Sequence, residues 1–148
     1  GTDIAARETM LNASMIAGMA FTNVSLGIVH SMAHTIGSLF HVAHGLADAV
    51  ILPYVIAFNS GDAPAKAIYD TMAAKMGETD MAALIRRLNC ALHIPVSLRE
   101  LIPDEAAYMA KLDDMAAMAL ADGCTKTNPI IPTPAQMRDL LRLVYIGN

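Results

Sequence analysis

Four of the five histidines in this chain fall between residues 27 and 45: His30, His34, His41 and His44. The fifth, His93, stands far from them. The segment from Gly27 to Gly45 is otherwise mostly apolar, and a polar ring buried without a partner costs free energy. Any fold this stretch adopts must therefore give its imidazoles a hydrogen-bond partner, solvent or a metal ion. Neutral imidazole is the commonest protein ligand for transition metals and suits zinc and iron. His30 and His34 are four positions apart, so on a helix they share a face one turn from each other. The expectation is a metal site carried on helices.

The rest of the chain supports helices throughout. Ala, Met and Leu dominate, aromatic residues are 5% and Trp is absent, which favours helix over strand. Residues 4–20 read as a first helix capped by Thr2 or Asp3, with Ile4, Met10, Leu11, Met15 and Met19 as its apolar positions. Asn23 and Ser25 offer a cap for a second helix running through His34, with Gly37 as its stop. Gly45 opens an apolar stretch to Phe58, which Pro53 kinks or divides. Asp62 with Pro64 opens a helix that Gly77 stops, and Thr79 or Asp80 caps the next, whose buried side is read as Leu84, Ile85, Leu88 and Leu92. Leu98 to Ile102 is a connector. Pro103-Asp104-Glu105 opens a long helix through Leu120, closed by Asp122-Gly123. An irregular segment follows at 125–133, and Thr133 or Pro134 starts a last helix to Val144. No strand alternation of useful length, internal repeat or low-complexity linker is visible. The fold class read from this pattern is all-α, a single domain over residues 1–148 with about six or seven helices.

Composition narrows the partners. The net charge is −4, with no basic run and no aromatic–basic interleaving, which argues against nucleic acid. Hydrophobic residues are 55% of the chain, above the ~45–50% usual for globular domains. No uninterrupted apolar run approaches the ~18–20 residues of a membrane span. The excess apolar surface is expected to face another domain or another subunit, so a homo-oligomer is anticipated and a membrane is not. Cys90 and Cys124 form no CxxC, and residues 1–20 lack a basic region followed by an apolar core, so a reducing, cytoplasmic setting is expected.

The pattern Gly27-x-x-His30-x-x-Ala33-His34-x-x-Gly37, followed by His44-Gly45-Leu46-Ala47 and Ile51-Leu52-Pro53, resembles the signature of the iron-containing alcohol dehydrogenases. The alcohol-dehydrogenase half of bifunctional aldehyde–alcohol dehydrogenases is especially similar. Ala17-Gly18-Met19-Ala20-Phe21 and the late Cys124-Thr125-x-x-Asn128-Pro129 add to the likeness, which runs from about residue 5 to residue 145. It implies an all-helical C-terminal domain that binds a divalent metal, usually iron and sometimes zinc, next to a nucleotide-binding domain for NAD or NADP. It further implies that His30 and His44 are metal ligands. His34 would lie beside the nicotinamide and substrate as the catalytic histidine, and Cys124 would lie near the cleft. The substrates implied are a primary alcohol and its aldehyde. His41 is not a standard ligand there, and His93 is read as a histidine that satisfies carbonyls at a helix end.

The chain departs from that pattern in places. Ala43 stands where the family commonly has Pro, Asp48 where Asn is frequent, Tyr54 where His is frequent, and Ile130 where Arg is usual. The family's other two ligands come from an Asp-x-x-x-His motif, and no Asp here has a His four residues later. The Gly-rich phosphate-binding motif is also absent from these residues. Two histidines are a half-site, because a catalytic zinc usually has three protein ligands plus water. The chain by itself is expected to bind metal weakly and to lack turnover. The competing reading is a truncated, catalytically inactive helical protein that self-associates or binds a partner.

Overall fold

In the computed structural model, which describes residues 1–147, eight α-helices and two short 3-10 turns follow one another, and no strand occurs among the described residues. The helices are α1 (Ile4–Val24), α2 (Ile28–Phe40), α3 (His44–Asn59), α4 (Ala63–Lys75), α5 (Met81–Ala91), α6 (Glu105–Ala110), α7 (Leu112–Ala121) and α8 (Pro134–Ile146). The all-α expectation holds, with one or two helices more than the sequence suggested. No single helix is long and apolar enough to cross a membrane; α1 and α2 together have the length and composition, but they are bent by 105°.

The core is built where α2 meets α3 and α7, and where α8 closes over α3 and α7. Ile28, Met32 and Ile36 of α2, Val50, Ile51 and Tyr54 of α3, Leu112 and Met115 of α7, and Met137, Leu141 and Val144 of α8 are buried in it. Tyr108 and Tyr145 stack at 4.2 Å between ring centroids, and their hydroxyls donate to the Leu141 and Ile102 carbonyls at 3.0 Å. Each ring thus enters the core with its polar end satisfied.

Capping set most helix starts as the sequence indicated. The carboxylates of Asp3, Asp62, Asp80 and Asp104 each accept the backbone N–H three residues on, and Thr133 with Gln136 forms a capping box. The start of α2 differs. Neither Asn23 nor Ser25 caps it. Asn23 instead donates to the Met19 carbonyl, and Gly27 occupies the cap position with no side chain to offer. The free Ile28 N–H is taken by Asn128 Oδ1 at 3.2 Å. A Cβ on residue 27 would lie 2.7 Å from that oxygen, so glycine is what lets Asn128 approach.

Other boundaries also moved for physical reasons. Gly37 does not stop α2; the helix runs to Phe40 and ends on His41, whose backbone is left-handed and whose N–H bonds the Gly37 carbonyl. Pro53 does not divide α3, which is one helix across it. The helix expected from residue 105 to 120 breaks at Lys111 into α6 and α7. Tyr108, Leu112, Met115, Ala116 and Ala119 keep one buried face across that break, so periodicity alone could not reveal it. In α5 the buried residues are Ala82 and Asn89, whereas Leu88 and Leu92 are exposed, against expectation. The reason is that α5 meets α3 through Asn89, whose amide donates to the Ala49 carbonyl at 2.6 Å.

α1 stands apart. None of its residues is buried, and Ile4, Met10, Leu11, Met15, Ile16 and Met19 are all exposed. A second apolar groove lies between α4 and α5, lined by Met72, Met76, Met81, Leu84, Ile85 and Leu88. These faces carry the apolar excess that composition indicated.

Candidate metal centre

α2 and the first turn of α3 bring three imidazoles together. His30 Nδ1 lies 3.1 Å from His44 Nε2, and the His34 ring stacks on the His44 ring with centroids 5.1 Å apart and planes within 13°. Each of the three can offer one ring nitrogen within 4.8 Å of the others. The short turn at 41–43 does this: His41 ends α2 in the left-handed conformation, and the chain re-enters a helix at His44. The ring of His41 is exposed, and His93 sits in a left-handed turn after α5, exposed and outside the cluster.

Two carboxylates, Asp48 and Asp122, complete the surroundings. Asp48, one turn along α3 from His44, places Oδ2 at 3.1 Å from His44 Nε2 and 3.7 Å from His30 Nδ1. Its Oδ1 is enclosed and has no hydrogen-bond partner. Asp122, at the end of α7, places Oδ2 at 2.7 Å from His34 Nδ1, while its Oδ1 accepts the Cys124 N–H at 2.8 Å. Asp122 is 88 positions from His34. Nothing local in the sequence announces that pairing, although its place two residues before Cys124 in the closing motif was the available signal.

The electrostatics follow from these neighbours. Burial holds the His30 ring below its ordinary pKa; Asp48 pulls in the opposite direction, and His44 and His34 add to the lowering. For Asp122, burial acts to raise the pKa, but the Cys124 N–H and the His34 ring outweigh it and leave the carboxyl below its usual range. With Asp122 ionised, His34 donates Nδ1–H to it, and Nε2 is the nitrogen left for the cluster. Burial and the Asp122 carboxylate both raise the Cys124 thiol, so it is held as a thiol. Cys124 Sγ, Asp122 and His34 form a second set of donor atoms within 4.8 Å of one another.

The closing motif is structural as well. Asn128 accepts from Ile28 N and pairs reciprocally with Asn59 at 2.7 and 3.2 Å. Thr125 donates to the Ala119 carbonyl and touches the Ser31 hydroxyl at 2.8 Å. Those contacts hold the 3-10 turn bearing Cys124 against α2. The donor set fits a divalent transition metal: imidazole nitrogens suit iron and zinc, and the enclosed, unpartnered Oδ1 of Asp48 belongs to a negative charge beside them that a cation would offset.

The chain belongs to the Fe-containing alcohol dehydrogenase family: the model of that family's C-terminal part matches residues 1–145. It is 38% identical to the NADPH-dependent butanol dehydrogenase of Clostridium saccharobutylicum, over 98% of this chain and 39% of that protein. It is 35% identical to the bifunctional aldehyde-alcohol dehydrogenase of Escherichia coli K12, over 96% of this chain and 19% of that protein. Among solved structures, a 1,3-propanediol oxidoreductase superposes with a TM-score of 0.88 at 35% identity, covering 97% of this chain and 39% of that one. The iron-containing alcohol dehydrogenase of Thermococcus thioreducens gives 0.85 at 33% identity, over 93% of this chain and 36% of that one. This chain therefore spans about two fifths or less of the relatives it matches.

Proposed function

We propose that residues 1–148 are the metal-binding helical domain of an NAD(P)-dependent alcohol dehydrogenase that interconverts a primary alcohol and its aldehyde. The observation that supports this most is the 3.1 Å approach of His30 Nδ1 to His44 Nε2, with the His34 ring stacked beside them. In this reading His30 and His44 hold a divalent ion, Fe2+ or Zn2+. When bound, such an ion supplies Lewis-acid polarisation of the alcohol oxygen.

The chain's own residues do the rest. His34, fixed by Asp122 through Nδ1, keeps Nε2 available to accept or return a proton at the edge of the substrate pocket, and its flat ring shapes the place of the nicotinamide. Cys124, held as a thiol, borders the same cleft without acting as a nucleophile. The dinucleotide comes from a nucleotide-binding domain, and the remaining ligands, an Asp-x-x-x-His motif, come from a segment upstream of these residues. The exposed apolar face of α1 is the surface that meets that domain or a second subunit.

The test uses the gene product that contains this chain together with the nucleotide-binding part, loaded with ferrous iron or zinc. Ion content and alcohol-dependent reduction of NAD or NADP are measured together. His30→Ala and His44→Ala are expected to lose both the ion and turnover. His34→Ala is expected to keep the ion and lose roughly 100-fold or more in kcat, the scale of a positioned proton-transfer group. An active, ion-loaded His44→Ala enzyme would overturn the assignment.

A further inference from the structure

Beside His30 and His44, the start of α3 brings a third donor atom to the cluster. His30 Nδ1, His44 Nε2 and Asp48 Oδ2 form a triangle with edges of 3.1, 3.1 and 3.7 Å. Two donors bound to one tetrahedral ion at ~2.0–2.1 Å stand about 3.3 Å apart. The three atoms therefore already stand at the spacing of three corners of such a site, without movement of any helix.

We propose that Asp48 is a metal ligand, so that this chain by itself supplies a two-histidine, one-carboxylate site. The proposal rests on His30 and His44 being ligands, and it adds a residue that stands where the family pattern frequently has Asn.

Three observations support it. His44 and Asp48 are one helical turn apart at the start of α3, so the helix presents both donors on one side. Asp48 Oδ1 is enclosed and unpartnered, and among the described residues no lysine or arginine lies within ion-pair distance of the carboxylate. The only ion-pair partners of this half-buried carboxylate are two imidazoles, and a cation held between the three groups would offset its charge. Two imidazoles and a carboxylate are also a donor set that zinc and ferrous iron both accept.

Binding can be read on this chain directly. Zinc is titrated into the wild-type chain, Asp48→Asn, Asp48→Ala and His44→Gln by calorimetry, and cobalt(II) is titrated into the same four while visible absorption is recorded. Circular dichroism checks that each variant is folded. The wild-type chain is expected to bind one ion, with the intense cobalt bands of a low-coordinate site. Both Asp48 variants are expected to bind zinc more than about a hundredfold more weakly, beyond the loss typical of a residue that merely orients a ligand. Their cobalt bands are expected to weaken as water replaces the carboxylate. Unchanged affinity in the Asp48 variants alongside a large loss in His44→Gln would overturn the Asp48 assignment and leave the histidines standing. Weaker binding with unchanged cobalt bands would also overturn it, making Asp48 a partner of His44 and not of the ion. Unaltered binding in all four chains would remove the histidine reading and the proposal with it.

Discussion

Asp122 divides its carboxylate between the His34 ring and the Cys124 N–H, and so joins the end of α7 to the middle of α2. Asp122→Ala removes the acceptor for both, and a loss of about 1–2 kcal/mol in unfolding free energy is expected from the cap and the histidine bond. Because the carboxyl sits below its usual range in the folded chain, its contribution is complete above about pH 4, where the unfolded carboxyl ionises, and is lost as pH falls through the folded value. The stability gap between wild type and Asp122→Ala is therefore expected to narrow as pH falls below about pH 4. Urea unfolding followed by circular dichroism across that range reads it. In the same variant, long-range nitrogen–proton NMR is expected to show His34 as a mixture of tautomers in place of Nδ1–H alone. At this scale the sequence was legible where a side chain acts on its own helix, as with the Asp caps and the His30–His34 pair. It was silent where partners come from opposite ends of the chain. Asp48 was visible only as a departure from a pattern, because its meaning depends on the turn at 41–43 that folds His44 back toward His30.

Helices here are tied by backbone groups that a particular residue has set free. Pro53 has no N–H, so the carbonyl of Ala49, four residues back, has no partner within α3. Asn89 of α5 supplies it at 2.6 Å. Asn89→Ala is expected to cost about 1–3 kcal/mol, the price of a carbonyl left unmet in a covered position. Pro53→Ala restores an N–H to that carbonyl, so the double variant is expected to lose less than the sum of the two single changes. A thermal double-mutant cycle measures the difference. The apolar pattern located α5 and its cap, but it favoured Leu88 and Leu92 as the buried side. The face that packs was chosen instead by Asn89, a polar residue that hydrophobic periodicity ranks last. Helix starts with Asp or Thr caps were readable to within a residue, whereas the break at Lys111 was not, because its buried face continues unbroken.

At the scale of the molecule, the burial map separates a packed body, α2 to α8, from α1. Because no residue of α1 is buried, a chain beginning at Ser25 is expected to keep its helical circular dichroism and to unfold within a few degrees of the longer one, a shift of about 1 kcal/mol or less in a domain of this size. Loss of cooperative unfolding in that shortened chain would show that α1 supports the core. Composition had signalled surplus apolar surface without saying where it lies; the fold places it on α1 and along the α4–α5 groove. The body itself is closed by long-distance ties. Asn128 meets Ile28 across 100 positions and Asn59 across 69, and Thr125 meets Ser31 across 94. During synthesis on the ribosome, the helix carrying His30 and His34 is made before the amide that satisfies its opening turn, which follows 100 positions later. The first turn of that helix therefore lacks its partner until a stretch of chain much longer than the helix itself has followed it out of the exit tunnel.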